Sequence, residues 1–340
     1  MNTHDRAVVF HEHGGPEVLK FEPAVDRPLR SGEVRFAVSA FALNRGDLMF
    51  LRGEYYTIPE LPSRLGSEAA GIVTAVAPDV TDFRVGDRVS SLPFFTVQHG
   101  VQGTTATVPA DYLAPTPECL DDIEACSIWM QYLTAYFAFQ GASRVEEEDT
   151  VLVTAAASSA GLGALQVASL LGARTIATTR STAKAELLRA AGATAVVHPG
   201  SRSLAATIHE VSGGRGVAVA FDSLGGDSLN GYAEHLAPGA TVLGLGMLSG
   251  RLPTIPMAAM CRAEAVFRPF SLFNHMARAD ERRSGVEFVR KAVLAGLRPR
   301  IGATFAFQDL VAAYHAMESN RHVGKIVVRC PASEGVENSL

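Results

Sequence analysis

The sequence lacks the cysteine clusters that mark disulfide scaffolds and metal sites. Its four cysteines, Cys119, Cys126, Cys261 and Cys330, are scattered, with no CxxC pair and no Cys/His cluster at metal-ligand spacing. Free thiols are the simplest interpretation, because disulfides persist mainly in oxidising compartments. The sequence therefore predicts a cytoplasmic protein without a metal site.

Long apolar runs and clusters of basic residues are also missing. No uninterrupted apolar run approaches the roughly 20 residues of a membrane-spanning helix. Residues 1–10 lack a basic segment followed by a long apolar stretch, so no secretory signal is expected. The formal net charge is -5 and no polybasic run occurs. This pattern argues against nucleic acid or an anionic membrane as a partner.

The composition that remains is that of an ordinary globular protein. Hydrophobic residues make up 47% of the chain and charged residues 19%, which excludes extensive disorder. A chain of 340 residues is longer than one compact core usually holds. Two domains are therefore expected.

The first third of the chain has the pattern of short β-strands. Val34, Phe36 and Val38 are large apolar residues on alternate positions, which is the period of a half-buried strand. Residues 69–76 form a second such segment, and residues 85–89 indicate a turn followed by a third. A compact β-rich domain with few helices is predicted here.

The pattern changes near residue 120. Residues 121–139 have apolar positions at helical spacing, with no proline or glycine among them. Short β-branched runs then alternate with helical segments. The predicted strands are 151–153, 175–178, 195–197, 217–221 and 241–243, the helices 161–171 and 184–191, and a last strand 325–329. This alternation predicts an α/β fold in which a doubly wound, parallel Rossmann sheet is covered on both faces.

The segment between the first strand and the first helix of this region is the most informative. Ala156, Ser158 and Gly161 occupy the three glycine positions of the GxGxxG dinucleotide pattern. Small residues let backbone N–H groups approach a pyrophosphate, and the following helix N-terminus favours its charge. We expect the turn 156–162 to bind a dinucleotide through Ala156, Ser158, Ser159, Ala160, Gly161 and Leu162. Small-residue turns before helices also occur without a nucleotide, so the pattern alone is weak.

The end of the second strand indicates which dinucleotide binds. Sheets that bind NAD usually place Asp or Glu there to hold the ribose 2′-hydroxyl. Here no acid occurs, and Thr179, Arg180, Ser181 and Lys184 stand in its place. These side chains suit a 2′-phosphate through charge-assisted hydrogen bonds, which favours NADPH. The alternative is that Arg180 and Lys184 are solvated surface charges.

An ordered set of motifs resembles one known family. The motifs are HGGPEVL at 13–19, NRGD at 44–47, RGEY at 52–55, LGSEAAG at 65–71, VGDRV at 85–89, YLTAY at 132–136, SSAG at 158–161 and GKIVV at 324–328. Together they resemble the quinone oxidoreductase branch of the medium-chain dehydrogenase/reductase superfamily. The resemblance covers residues 6–329.

The resemblance implies a two-domain architecture. It implies a GroES-like β-rich catalytic domain built from residues 1–124 and 270–340, with a Rossmann domain of residues 125–269 inserted between them. The active site would lie in a cleft between the two domains. The family usually forms a homodimer through its Rossmann sheets, and residues 263–267 resemble the edge strand at that interface.

The resemblance also implies chemistry without zinc. Zinc-dependent members carry Gly-His-Glu, whereas this chain has Ser67 in the His position, and no cysteine occurs within residues 44–47. Zinc sites need a full set of N, S or O ligands at short distances. Without a Lewis acid, hydride transfer from NADPH to a quinone or to another activated alkene, such as an enone, fits better than alcohol oxidation.

Individual site residues follow from the same resemblance. Asn44 and Thr134 match nicotinamide contacts, and Tyr55 matches a tyrosine that lines the active site and can donate a proton. Further cofactor contacts are expected at Ser223, Leu245, Gly246, Met247, Phe270, Ser271 and Lys325. Trp129 is a candidate for the substrate pocket. The simpler alternatives are a turn cap for Asn44, pocket lining for Tyr55 and the core for Trp129.

Two other functions remain open at this point. One is an enoyl-thioester reductase of fatty-acid or polyketide synthesis, which a basic entrance for a phosphopantetheine arm would favour. The other is a non-catalytic NADPH-binding protein, since some relatives serve as lens crystallins or bind RNA. The sequence shows no clear feature that selects either of them.

Overall fold

The computed structural model describes residues 5–94, 100–198, 200 and 202–331. It divides into two compact units, the first made of Met1–Met130 with Arg290–Leu340 and the second of Gln131–Val289. Each unit has sheets of its own. The first unit is thus made from two separate stretches of the chain.

The elements are as follows in chain order. The strands are β1 (Arg6–Phe10), β2 (Lys20–Pro23), β3 (Glu33–Leu43), β4 (Ser63–Arg64), β5 (Ala69–Val76), β6 (Arg88–Ser91), β7 (Thr105–Pro109), β8 (Leu113–Pro115), β9 (Thr150–Val153), β10 (Arg174–Thr178), β11 (Ala195–Val197), β12 (Val217–Asp222), β13 (Leu236–Gly244), β14 (Val266–Pro269), β15 (Ile301–Ala306) and β16 (Lys325–Arg329). The helices are α1 (Arg45–Leu51), α2 (Asp122–Ala125), α3 (Trp129–Tyr136), α4 (Ser159–Leu170), α5 (Ala185–Ala190), α6 (Leu204–Ser212), α7 (Met257–Ala263), α8 (Leu272–Met276), α9 (Ala279–Leu294) and α10 (Leu310–Glu318). Of the helices in the described residues, none has the length and apolar character needed to cross a membrane.

The first unit is β-rich, as predicted. A three-stranded antiparallel sheet has the order β2-β1-β4, and a larger sheet has the order β15-β16-β3-β5-β6-β8, with β7 also paired to β3. Strand β3 is long because its residues stay apolar beyond the predicted alternation of Val34, Phe36 and Val38, as far as Leu43. Its partner β16 comes from the other end of the chain and pairs antiparallel with Leu43 opposite Ile326. This pairing holds the two chain ends in one core.

The second unit contains a single six-stranded sheet in the order β11-β10-β9-β12-β13-β14. All of its strand pairs are parallel. All four residues of the central strand β9 are buried, as expected for a sheet covered on both faces. The strand order reverses on either side of β9, which is the doubly wound arrangement, and the predicted Rossmann sheet is therefore confirmed.

The predicted helical stretch 121–139 is not one helix. It consists of α2, α3 and a π-helical turn, Phe137–Ala142. The break follows α2, where the Ser127 hydroxyl donates to the Ile123 carbonyl at 2.8 Å. A side chain that bonds to the backbone in this way competes with continued helix formation. Thr134 lies inside α3.

The edge strand begins later than predicted. Ala263 is the last residue of α7, and Glu264 ends that helix with a left-handed φ of 49°. The strand β14 starts at Val266 and is the last strand in the sheet order. Periodicity alone could not separate the end of this helix from the short strand that follows it.

The second boundary between the units also differs from the predicted position. Residues 270–289 were assigned to the catalytic domain, but they pack on the helical segment that opens the second unit. The rings of Phe137 and His275 stack with centroids 4.8 Å apart, and those of Tyr136 and Phe288 stack at 4.6 Å. The units therefore divide at 130/131 and 289/290.

Candidate cofactor-binding and active site

The turn between β9 and α4 is closed by its small residues. The Ser158 side chain accepts from the Gly161 N–H at 3.1 Å and caps α4. A Cβ atom added to Gly161 would lie 2.6 Å from the Ala156 Cα. Only glycine therefore fits at position 161, which is the close helix–strand approach that the third glycine of a dinucleotide pattern allows.

The first turn of α4 offers backbone N–H donors beside Gly161. We call the close approach of Gly161 to Ala156 the cradle. The first N–H groups of a helix have no partner within the helix. Ser158 satisfies one of them, and Ser158, Ser159 and Ala160 are all partly exposed. Gly161 and Leu162 are buried. The structure therefore brings the predicted pyrophosphate residues together on one turn that is open to a ligand.

The residues after β10 place two positive charges close together. Arg180 is exposed and Lys184 is half-buried. The pKa of Lys184 is lowered by partial burial and, to a smaller extent, by the positive charge of Arg180. Two adjacent cations repel each other, and a doubly charged phosphate would relieve this repulsion. Thr179 and Ser181 flank them, and the Ser181 N–H donates to Thr179 Oγ1 at 3.2 Å.

The carboxyl ends of β9 and β12 are tied by a buried aspartate. Asp222 accepts from the Thr154 hydroxyl at 3.0 Å and from the Tyr232 hydroxyl at 2.7 Å. The Ser223 N–H donates to the same Thr154 hydroxyl at 3.0 Å. Burial and the Asp222 carboxylate raise the pKa of Tyr232 well above its usual range. These hydrogen bonds connect the carboxyl ends of β9 and β12. Doubly wound folds bind their ligands at this edge of the sheet.

The segments after β13 and β14 lie at the same edge of the sheet. The Leu245 N–H donates to the Asp222 carbonyl at 2.8 Å, and the Phe270 N–H donates to the Gly244 carbonyl at 2.9 Å. Gly246 follows Leu245, and Met247 exposes 37% of its surface. Ser271 follows Phe270 and is partly exposed. The predicted contacts in this part of the second unit are therefore brought together.

Trp129 lies in the core of the first unit. It is 1% exposed, and its indole N–H donates to the Ser90 hydroxyl at 2.8 Å. A tryptophan with its N–H satisfied and its ring buried has little left to offer a ligand. Its surroundings favour the core interpretation over the substrate pocket.

Asn44 and Lys325, both predicted to contact the cofactor, meet in a buried polar cluster of the first unit. The Lys325 ammonium donates to Asn44 Oδ1 and to Glu68 Oε2, both at 2.8 Å. Asn44 Nδ2 donates to Glu68 Oε2 at 3.1 Å, and the Met130 N–H donates to Glu68 Oε1 at 2.6 Å. The side chains of Lys325 and Glu68 are 1% and 0% exposed. We call Asn44, Glu68 and Lys325 the buried triad.

Asp47 caps helix α1 next to the triad. Its carboxylate accepts from the Asn44 N–H at 2.9 Å. Burial raises the pKa of Asp47 to about 7, against the opposing effects of this hydrogen bond and of the Lys325 charge. The carboxyl group therefore titrates near neutrality as well as capping the helix.

Tyr55 lies beside Asp47 in the same unit. Its ring packs on Tyr56 with centroids 4.3 Å apart, and a Cβ added to Gly46 would be 3.6 Å from its hydroxyl. Burial is the main cause that raises its pKa, with smaller effects from Tyr56 and Asp47. A raised pKa makes Tyr55 a weaker acid.

The residues at the zinc-ligand positions do not fit a divalent metal. Ser67 stands in the place of the histidine ligand, and the neighbouring Glu68 already holds the Lys325 ammonium. A second cation beside that ammonium would be repelled. In the described residues no group of three or more His, Cys, Asp or Glu side chains is arranged to hold a metal ion.

Sequence reasoning did not single out Glu68 as a site residue. It was noted only as part of the motif that contains Ser67. Glu68 is an acid next to a segment that has the pattern of a buried strand. A buried charge needs a partner, so this position could have indicated an ion pair or a polar cluster. The identity of that partner could not be read from the sequence.

Comparisons with known proteins agree with this geometry. Residues 30–118 match the family "Alcohol dehydrogenase GroES-like domain", and residues 160–289 match "Zinc-binding dehydrogenase". A 2-haloacrylate reductase from Burkholderia is 30% identical, over 95% of this chain and 98% of that protein. The chain belongs to the medium-chain dehydrogenase/reductase superfamily. Within it, the chain is a member of the quinone oxidoreductase-like branch and an oxidoreductase, which confirms the resemblance and the GroES-like domain.

Two further similarities bear on function. The quinone oxidoreductase of Escherichia coli, solved in complex with NADPH, has a TM-score of 0.86 and 26% identity, covering 95% of this chain and 99% of that one. Erythronolide synthase EryA2 of Saccharopolyspora erythraea is 34% identical over 94% of this chain, which corresponds to only 9% of that much longer protein.

Proposed function

We propose that this protein reduces a quinone or another activated alkene, such as an α,β-unsaturated carbonyl compound, with NADPH and without zinc. The observation that carries the proposal is the cradle at Gly161, where a Cβ atom would collide with the backbone of Ala156. A Rossmann sheet with such a cradle at its switch point is built to bind a dinucleotide. Solved relatives that contain NADPH support the choice of cofactor.

The residues that would hold NADPH lie mainly in the second unit. The turn from Ala156 to Leu162 would bind the pyrophosphate, and Arg180 and Lys184, with Thr179 and Ser181, would bind the 2′-phosphate. Ser223, the segment 245–247 and Phe270 with Ser271 would surround the nicotinamide end, together with Thr134, Asn44 and Lys325. When bound, NADPH supplies a hydride, and the protein holds the donor carbon in place and excludes water.

The acceptor is proposed from relatives and from the chemistry of Tyr55. Similar proteins include quinone oxidoreductases and a 2-haloacrylate reductase, which suits an electron-poor carbon–carbon double bond. With its raised pKa, Tyr55 stays protonated and can donate a hydrogen bond to a developing enolate. A quinone needs no protein acid, because its reduced form takes protons from water.

Independence from zinc is supported by the buried triad. Zinc would supply a positive charge that polarises the substrate oxygen. At the corresponding segment this chain has Ser67 instead of a histidine and carries its own buried ammonium on Lys325, paired with Glu68. We propose that this arrangement replaces the metal site of the zinc-dependent members.

A second candidate is an enoyl-thioester reductase. The observation that favours it is the 34% identity to part of a polyketide synthase, which is higher than the 26% identity to the quinone oxidoreductase of Escherichia coli. The reaction would again be hydride addition to a conjugated double bond. Only the acceptor, which would be carried on a thioester, differs from the first candidate.

Steady-state oxidation of NADPH with quinones, enones and enoyl-CoA esters separates these functions. Turnover of quinones and simple enones, unchanged after treatment with a zinc chelator, is the expected result. Turnover of enoyl-CoA esters alone would select the second candidate. Binding of NADPH without turnover of any acceptor would support a non-catalytic role, and absence of NADPH binding would contradict the proposal.

The proposal also covers the cellular location of the protein and its oligomeric state. We place the protein in the reducing cytoplasm, which suits its four free cysteines. We also propose a homodimer that forms through β14, the last strand of the parallel sheet.

A further inference from the structure

We infer that Glu68 and Lys325 are positioning residues that fix the orientation of the Asn44 side-chain amide for its contact with the nicotinamide. The inference rests on the proposed function, in which Asn44 touches the cofactor. It assigns a role to Glu68, which the dinucleotide pattern does not include.

The hydrogen-bond chemistry of the triad leaves one orientation for the amide. A lysine ammonium can only donate, so Asn44 must present Oδ1 to it. A carboxylate can only accept, so Asn44 must present Nδ2 to Glu68. The two ends of the amide are thus distinguished by chemistry.

Burial makes the reversed orientation unfavourable. A flipped amide would turn its N–H groups toward the ammonium and its oxygen toward the carboxylate. Both contacts are repulsive, and water cannot screen them, because the Lys325 and Glu68 side chains are 1% and 0% exposed. Glu68 itself is held by the Met130 N–H at 2.6 Å, so the carboxylate cannot turn to follow a flipped amide.

The fixed amide retains recognition capacity. Asn44 Nδ2 has two N–H groups, one of which goes to Glu68, and Oδ1 has two lone pairs, one of which goes to Lys325. The second lone pair of Oδ1 faces the Asp47 N–H in the capping box of α1, so one N–H of Nδ2 remains as a donor in a fixed position. A primary carboxamide, such as that of nicotinamide, presents one donor end and one acceptor end. A single orientation of Asn44 therefore favours a single orientation of the ligand carboxamide.

The experiment uses Glu68→Gln and the double variant Glu68→Gln/Lys325→Gln in the full chain. Glutamine both donates and accepts, so it no longer distinguishes the ends of the Asn44 amide. We expect Glu68→Gln to lose thermal stability, because it leaves a buried ammonium without its countercharge. The double variant should recover most of that stability, because neither of the two substituted side chains carries a charge.

The binding readout compares NADPH with 2′,5′-ADP, which lacks the nicotinamide, by calorimetric titration. For both variants, Kd for NADPH should rise about tenfold, as for the loss of one well-oriented hydrogen bond, while Kd for 2′,5′-ADP stays unchanged. The kinetic readout is the isotope effect with NADPH deuterated at C4. It should rise in both variants, since poorly aligned hydride transfer becomes rate-limiting.

The double variant decides between positioning and a merely structural role. If its NADPH affinity and isotope effect return to wild-type values together with its stability, the triad only supports the fold and the inference is wrong. Equal changes in Kd for NADPH and 2′,5′-ADP would also overturn it. If wild-type protein binds NADPH but reduces no acceptor, the proposed reaction fails, whereas the binding comparison still tests the triad.

A matched control is available in the same unit. Glu33 is buried and accepts two hydrogen bonds from Arg27, at 2.6 and 2.7 Å. Glu33→Gln should also lower thermal stability. It should leave both dissociation constants and the isotope effect at their wild-type values, because it does not contact Asn44.

Discussion

Asp47 is a carboxyl group that the fold holds in an unfavourable environment for its charge. Burial raises its pKa to about 7, so the folded protein binds this proton more tightly than the unfolded chain does. Its contribution to stability is fully present below the unfolded pKa of about 4 and is lost as the pH rises through 7. The free energy of unfolding should therefore fall across this window.

Replacing Asp47 with Asn tests this contribution. An uncharged amide still accepts the Asn44 N–H but does not titrate. We expect Asp47→Asn to be more stable relative to wild type at pH 8 than at pH 5, by up to about 2.7 kcal/mol, because about two pH units of the shift lie between pH 5 and the folded pKa. Urea unfolding at both pH values measures the difference, with the exposed Asp82→Asn as control. A difference that does not change with pH would show that Asp47 ionises normally.

In the proposed cofactor site, Lys184 is the residue whose replacement tests the choice between NADPH and NADH most directly. Its ammonium and the neighbouring Arg180 form the only charged contacts proposed for the 2′-phosphate. Lys184→Glu should raise KM for NADPH at least tenfold and leave KM for NADH nearly unchanged, because NADH has no such phosphate. Steady-state kinetics with both cofactors give the comparison. Lys20→Glu, an equal charge change on an exposed residue of the first unit, should alter neither value.

The residues proposed for the phosphate site could be singled out from the sequence because they are close together in it. The turn 156–162 and the basic residues 180–184 each follow a strand, and parallel strands bring their carboxyl ends to one edge. The buried triad could not be predicted, since Glu68 and Lys325 are 257 positions apart. Burial of an ion pair depends on tertiary packing, so it cannot be predicted from a local sequence pattern. The raised pKa values of Asp47 and Tyr55 also come from burial, which depends on packing and not on a local sequence pattern.

At the scale of elements, the contact of α4 with β9 depends on one glycine. A methyl group at position 161 would lie 2.6 Å from the Ala156 Cα and 2.8 Å from the Ala155 carbonyl oxygen. Backbone atoms cannot move aside as a flexible side chain can. Gly161→Ala should therefore lower the free energy of unfolding by about 1–3 kcal/mol and weaken NADPH binding at least tenfold.

The matched control for this substitution is Gly231→Ala. A Cβ atom at Gly231 would meet nothing within 4 Å. Urea unfolding and NADPH titration of both variants measure the two effects. Equal behaviour of the two variants would mean that α4 can shift to accept a side chain, and that the tight turn is not required for the cofactor.

Element boundaries were predictable where burial and periodicity agree. Strand β5 has the predicted bounds, and β9 and β12 each extend the predicted segment by one residue at one end. The stretch 121–139 was different, because its apolar spacing continues through the break after α2. The helix is interrupted where the Ser127 side chain donates a hydrogen bond to the backbone. Such a bond cannot be predicted from the spacing of apolar residues.

At the scale of the whole molecule, the proposed homodimer would form through strand β14. It is the last strand in its sheet, and in the described part of the chain its outer edge has no strand partner. Val266 exposes 54% of its surface there. Unpaired N–H and C=O groups on an edge strand favour pairing with another strand, and a lysine on the edge opposes it.

Light scattering during size-exclusion chromatography measures this assembly. Wild-type protein should elute with twice the mass of the 36.0 kDa chain. Val266→Lys should shift the population toward the monomer at micromolar concentration, because a charge must then be desolvated at the contact. Met257→Lys, on a helical residue of the same unit that is also more than half exposed, should remain dimeric. A monomeric wild type, or a Val266→Lys variant that stays dimeric, would contradict assembly through this strand.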